Sequence, residues 1–354
     1  MSLFKSKTAI KQYRVVAEDA QEGKNITQLA FQPIDEVARA ESVGFVDPLD
    51  PERFTELSRL THEDNRLFAM RQDRRKIPPS VVKRHLAAAS AAFLAEHPGL
   101  KRVPKGKKEA MLEAVIAELL PKTYPIAKVT QFCISSTSAM IFTSSARECD
   151  TVTDLFRLTA PGLRFVPIAP IDIAYELLGE KAAGLDEGSK DDDYLLRVSQ
   201  NSNLGAEFLK WLAWKTDTDN DGSAYICEKV VLKDDGGKVA VSGPEFSFTE
   251  IKSALLAGKS IVEAHIVMEK GEDVWSFNLD AETFDIKSMK TPSVVLDKAA
   301  DDEELERLAV CTEKLALIET GLNLFREKFK RFLEYRTTAP SPMLPVIVWY
   351  ENAD

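Results

Sequence analysis

Val82, Leu86, Ala89 and Phe93 recur at helical spacing behind Pro78-Pro79-Ser80. This predicts a helix with Ser80 as N-cap that stops at His97-Pro98-Gly99. A second helix follows over Glu109–Leu120, with Met111, Leu112, Val115, Ile116 and Leu119 as its apolar side and Pro121 as its stop. The two form a helical hairpin. Before it, Lys11–Ala17 reads as a strand, Asn25–Phe31 as a short helix or strand, Gly44–Pro48 as a strand entering a turn, and Leu67–Met70 as a short apolar segment. After it come strands at Ile126–Ile134 and Ala139–Thr143 around a serine-rich turn, a helix at Ala146–Leu158 and a strand at Leu163–Ile168. Strand, strand, helix and strand in one run predict an α+β fold with mixed or antiparallel sheets.

The second half continues the theme. Phe208–Trp214 reads as a short apolar helix, and Tyr225–Leu232 with Lys238–Val241 as a hairpin. Thr249–Gly258 is helical, Val262–Glu269 and Asp273–Leu279 pair as strands, and Thr283–Ser288 follows. Residues 301–336 form one long helix, acidic in its first turn and basic in its last, as the helix dipole favours. The tail Pro340–Tyr350 is apolar and is expected to dock as a terminal strand or on a partner. The organisation expected is a central α+β region (1–77 plus 125–172), a hairpin arm (78–124), an acidic second region (173–262), and strands with the long C-terminal helix (263–354). Residues 180–203 read as an exposed acidic insertion.

Charge changes the picture. The 354 residues carry 46 Lys+Arg and 56 Asp+Glu, a net charge of −10. Residues 1–170 hold 25 basic and 20 acidic groups, whereas 171–354 hold 21 and 36. Between Arg66 and Lys108 there are twelve Lys/Arg and two acids, Asp73 and Glu96. Such a field can hold a polyanion while the whole chain stays acidic, although a solvated basic face is the plainer alternative. No window reaches the run of about 18 apolar residues that a membrane helix needs, and the start does not read as a secretory signal. Cys133, Cys149, Cys227 and Cys311 are widely spaced and read as reduced packing residues of a cytoplasmic protein.

Catalytic motifs are weak. Asp217–Glu228 matches a calcium-loop pattern, with Asp217, Asp219, Asp221 and Glu228 at oxygen-ligand positions. A strand rather than a helix is expected after it, so a polar turn is the competing reading. Ala257–Ser260 ends like a phosphate-binding loop but lacks the first glycine, since position 253 is Ser. Two Glu-x-Lys triplets, at Glu22 and Glu250, lack a partner aspartate on a strand. His62, His85, His97 and His265 form no metal-binding spacing and read as structural. No cofactor is expected.

In order and spacing the segments resemble the RdgC family of recombination-associated proteins. The resemblance is carried by KIPPSVVKRHLAAA (76–89), LLPKTY (119–124), the strand pair from Gln131 to Thr143, the helix after Ser145-Ala146 and the long C-terminal helix. Leu3-Phe4-Lys5, Phe31-Gln32-Pro33, Gly44–Pro48 and Ala257-Gly258-Lys259 add to it. It implies a non-catalytic, nucleoid-associated protein whose homodimer is a ring enclosing double-stranded DNA with little sequence preference. That ring would restrain recombinase-driven strand exchange. By position, Arg71, Arg74, Arg75, Lys76, Lys83, Arg84, Lys101, Arg102, Lys105, Lys107, Lys108, Lys122 and Lys128 would meet DNA, and Tyr124 would stand at the gate between protomers. The family's basic, glutamine-containing strand end corresponds here to Ala240–Pro244, which has neither Lys nor Gln. A metal-dependent exonuclease and an acidic, DNA-mimicking interaction protein are the alternatives.

Overall fold

The computed structural model describes residues 3–17, 23–34, 39–61, 65–183, 185, 203–219, 223–243, 246–295, 302–338 and 343–352. Most of the expected acidic insertion, His62 and Asp221 lie outside them.

Alternating apolar residues make strands β1 (Thr8–Ala17), β2 (Glu41–Val46), β3 (Ser58–Leu60), β4 (Arg66–Arg75), β5 (Pro125–Ile134), β6 (Ser138–Ile141) and β7 (Leu163–Pro167). The second half adds β8 (Ala224–Asp234), β9 (Gly237–Ser242), β10 (Ser260–Lys270), β11 (Asp273–Asp280) and β12 (Ile286–Lys290). All join one antiparallel sheet in the order β2-β4-β5-β6-β1-β12-β11-β10-β8-β9, with β3 on β4 and β7 on β1. Strand β1 is the joint. It pairs with β6 and β7 along its length, and near its start with β12 through Thr8↔Met289 and Ile10↔Ile286. The α+β class and the long C-terminal helix are thus as the sequence predicts.

Eight helices accompany the sheet among the described residues: α1 (Pro79–Glu96), α2 (Lys105–Leu119), α3 (Ala146–Thr159), α4 (Pro170–Leu178), α5 (Leu204–Thr218), α6 (Phe248–Leu256), α7 (Glu303–Thr338) and α8 (Leu344–Glu351). Helix α7 has 36 residues and is about 54 Å long. It lies against the second half of the sheet so closely that a Cβ on Gly321 would sit 2.7 Å from the Trp275 ring. The Trp275 indole donates to the Leu317 carbonyl at 2.8 Å, which fixes the crossing. Helix α5 is buried on all sides from Leu204 to Ala213. Its Phe208 ring meets Phe325, Phe329 and Phe332 of α7 at centroid distances of 5.8, 5.3 and 5.6 Å.

Several expectations are corrected. Helix α1 starts at Pro79, not behind Ser80, and has no side-chain cap, because proline at the first turn needs no N–H partner. Helix α2 begins at Lys105, four residues early, so Lys107 and Lys108 are helical. Its Ile116, expected on the apolar side, is exposed. Helix α5 extends well beyond Phe208–Trp214, capped by the Asn203 side chain, which accepts from the Ala206 N–H at 2.8 Å. The strand expected at Thr283–Ser288 begins at Ile286. The tail is a helix, α8, not a strand. Its β-branched residues favour strands, but Val346, Ile347 and Trp349 are buried, and Trp349 packs on Phe248 of α6 at 6.3 Å. Tertiary docking overrides local preference here.

Candidate nucleic-acid interface

Strands β4 and β5 pair along ten residues, from Arg66↔Ile134 to Arg75↔Pro125. Successive side chains on a strand point to opposite faces, so the register sorts the basic run into two sets. On one face lie Phe68 and Met70, opposite Phe132 and Thr130, and then Gln72 and Arg74, opposite Lys128 and Ile126. Helix α3 covers the apolar part. Phe68 stacks on Phe132 at 5.4 Å, and Phe156 of α3 meets Phe68 edge-on at 5.6 Å. Beyond the first turn of α3 the strands run on uncovered. There a groove of about 300 Å³ opens, lined by Gln72, Arg74, Lys76, Lys128, Ser145 and Arg147, with Glu148 and Ile126.

Arg74, Lys76 and Arg147 have no carboxylate partner among the described residues. Lys128 is paired with Glu148, which also accepts from Thr130 Oγ1 and Thr143 Oγ1 at 3.0 Å each. Burial pushes the Glu148 carboxyl up, but the bonds from Lys128, Thr143, Thr130 and Ser145 outweigh it and hold its pKa below the usual carboxylate value. The Ser145 side chain caps α3 through the Glu148 N–H at 3.4 Å. The groove therefore combines three uncompensated cations with the positive end of a helix.

The opposite face of β4 takes the other arginines inward. Arg71 makes a two-pronged bond to Asp73 at 2.8 and 3.0 Å, bonds Glu52 at 2.7 Å and lies over the Phe31 ring at 4.8 Å. The Asp73 bonds raise its guanidinium pKa above the ordinary value. Arg75 is buried and donates to the Ile34 carbonyl at 2.6 Å. Both were expected to meet DNA. The strand period instead turns them into the protein, where carboxylate and carbonyl oxygens occupy them. Arg147 was missed, because only the packing of α3 across the strands brings it beside Arg74.

Between Arg75 and Pro125 the chain leaves the sheet as the hairpin α1–α2. Lys83, Arg84, Lys101, Arg102, Lys105 and Lys108 are exposed, and none has a carboxylate partner among the described residues. Lys107 lies over Phe93 at 5.7 Å, and Lys122 pairs with Glu118 at 2.7 Å. That bond holds the Glu118 pKa below its ordinary value. Tyr124, where the arm rejoins the sheet, is 90% exposed.

A family model with the description "Putative exonuclease, RdgC" matches residues 4–180, half of the chain. The chain belongs to the RdgC family. The match takes in the whole arm and every residue of the groove, so the basic surface lies within the part that RdgC proteins share. A search of curated proteins found no match. No described helix is long and apolar enough to cross a membrane.

The calcium pattern is dispersed. Asp217 lies in the last turn of α5, where its carboxylate accepts from the Trp349 indole at 2.7 Å and pairs with Lys252 at 2.9 Å. Asp219 pairs with Lys215 at 3.1 Å, and Glu228 stands on strand β8. Among the described residues, the clusters with metal-ligand spacing are Cys227–Glu228–His265 and Asp47–Glu56–Glu304. In the second, Arg59 bonds all three carboxylates and Arg53 bonds Glu304 as well.

Proposed function

We propose that the chain is a sequence-independent DNA-binding protein that acts in recombination. The observation that carries this reading is the set of exposed cations without a carboxylate partner among the described residues, Arg74 and Lys76 at the groove and Lys83, Arg84, Lys101, Arg102, Lys105 and Lys108 on the arm, joined at its root by Arg147. Lys and Arg that meet phosphates release condensed counterions, so affinity follows salt rather than sequence. Membership of the RdgC family supports the link to recombination. The finer reading is a homodimeric ring around duplex DNA, associated with the nucleoid, that restrains a recombinase. It rests on the family resemblance, which puts Tyr124 at the gate between protomers, and is supported by the exposure of that ring at the base of the arm.

The test is a mobility shift on unrelated duplexes across a salt series. With six to ten phosphate contacts, affinity should fall about 10³–10⁵-fold between 50 and 200 mM salt. Binding that ignores salt, or none, overturns the reading. Replacing Lys101, Arg102, Lys105, Lys107 and Lys108 by Glu should abolish the shift. The description exonuclease favours a second reading, hydrolysis. Incubation of end-labelled duplex with magnesium or manganese separates the two, since binding alone releases no nucleotides.

A further inference from the structure

The outer face of the second half of the sheet carries a second site. Strand β8 pairs with β10 through Val230↔Ala264 and Ile226↔Ile266, so residues 227–229 stand opposite the single residue His265. This is a bulge, and Glu228 at its centre adopts φ +61, a left-handed conformation unusual for glutamate. In a regular strand Cys227 and Glu228 would point to opposite faces. The bulge turns both toward His265: the Cys227 Sγ, a Glu228 carboxylate oxygen and a His265 ring nitrogen all lie within 4.8 Å of one another.

The histidine is already oriented. Its Nδ1 bonds Asn278 Oδ1 at 3.0 Å across the β10–β11 pair. With the proton on Nδ1, the Nε2 lone pair faces Glu228 Oε2 at 3.6 Å. An outer hydrogen bond that fixes the ring in this way is the usual support of a metal-ligating histidine. Glu228 has no lysine or arginine partner among the described residues. The adjacent Lys229 is held instead by Glu263 at 2.5 Å, and Glu263 is shared with Lys287 at 2.9 Å. The negative charge at the bulge is thus left for another cation.

We propose that Cys227, Glu228 and His265 bind a zinc ion. A thiolate, an imidazole nitrogen and a carboxylate are the donors zinc prefers, and three protein ligands leave a fourth position for water. Ligand atoms around tetrahedral zinc are about 3.3–3.8 Å apart. The 3.6 Å between His265 Nε2 and Glu228 Oε2 already lies in that range, and the Cys227 Sγ lies within 4.8 Å of the other two ligand atoms. The site goes beyond DNA binding and involves no residue of the groove or arm.

The test uses the full reduced chain, stripped with a chelator and titrated with zinc alone. One equivalent should bind. Cobalt in place of zinc should show a thiolate-to-metal charge-transfer band. The other cysteines, Cys133, Cys149 and Cys311, are buried, so the band reports Cys227. Cys227→Ser should remove the band and Asn278→Ala should weaken zinc about 10–100-fold, with melting of the metal-free proteins unchanged. No stoichiometric uptake, a cobalt spectrum without the thiolate band, or affinity indifferent to Cys227→Ser and His265→Gln overturns the proposal.

Discussion

Lys128 on strand β5 is bound to Glu148 in the first turn of helix α3, and this pair is the one neutralised position in an otherwise cationic groove. Glu148→Gln keeps the shape and the threonine contacts but releases Lys128 to meet a phosphate. The expected result is tighter DNA binding and a salt slope steeper by about one. Mobility shifts at several salt concentrations measure both. An unchanged slope would place DNA away from this groove.

Arg71 and Asp73 form the converse case, a charge pair turned inward. Arg71→Ala leaves the Asp73 carboxylate, 1% exposed, without its main partner. Removing one member of a buried pair costs about 3–5 kcal/mol. Urea unfolding should show that loss, while DNA affinity per folded molecule stays as in the parent. Arg74→Ala should do the reverse.

Tyr124 separates ring from monomer. If two copies close around duplex through this exposed side chain, Tyr124→Glu should leave binding to linear duplex near normal. It should abolish retention on closed circles after a salt wash. Light scattering with the variant should show the monomer mass.

Lys210 gives a pH signature. It is buried in α5, and burial pulls its pKa down to about 8 from the ordinary 10.5. The unfolded chain therefore holds a proton that the folded chain lacks between those two values, so stability rises with pH across that window. Relative to Lys210→Met, the parent should gain roughly 2–4 kcal/mol between pH 8 and 10.5, at about 1.4 kcal/mol per unit. Parallel denaturant curves would reveal a flat difference if the amine finds solvent.

The sequence makes the arm legible because helical spacing, prolines and the charge run all mark the same segment. It marks strand pairs for the same reason, period and turns agreeing. Two things escape it. The alternation Arg71-Gln72-Asp73-Arg74-Arg75 already separates inward from outward residues, but a dense run of like charge reads as one surface until the strand extends through it. Arg147 and the Cys227–His265 cluster depend on contacts between distant elements. In α8, docking of Trp349 against Phe248 and Asp217 decides against the strand preference of Val346, Ile347 and Val348.

The arm departs from the sheet at Arg75 and returns at Pro125, two residues that pair directly across adjacent strands. Its two ends are therefore already held together by the ladder, whatever lies between them. Doubling the length of such an excursion costs only about 0.6 kcal/mol of closure entropy. The reach of the basic hairpin can lengthen, shorten or be grafted elsewhere while the aromatic cluster beneath α3 stays as it is. How far the protein extends toward a ligand and how firmly it folds are separately adjustable.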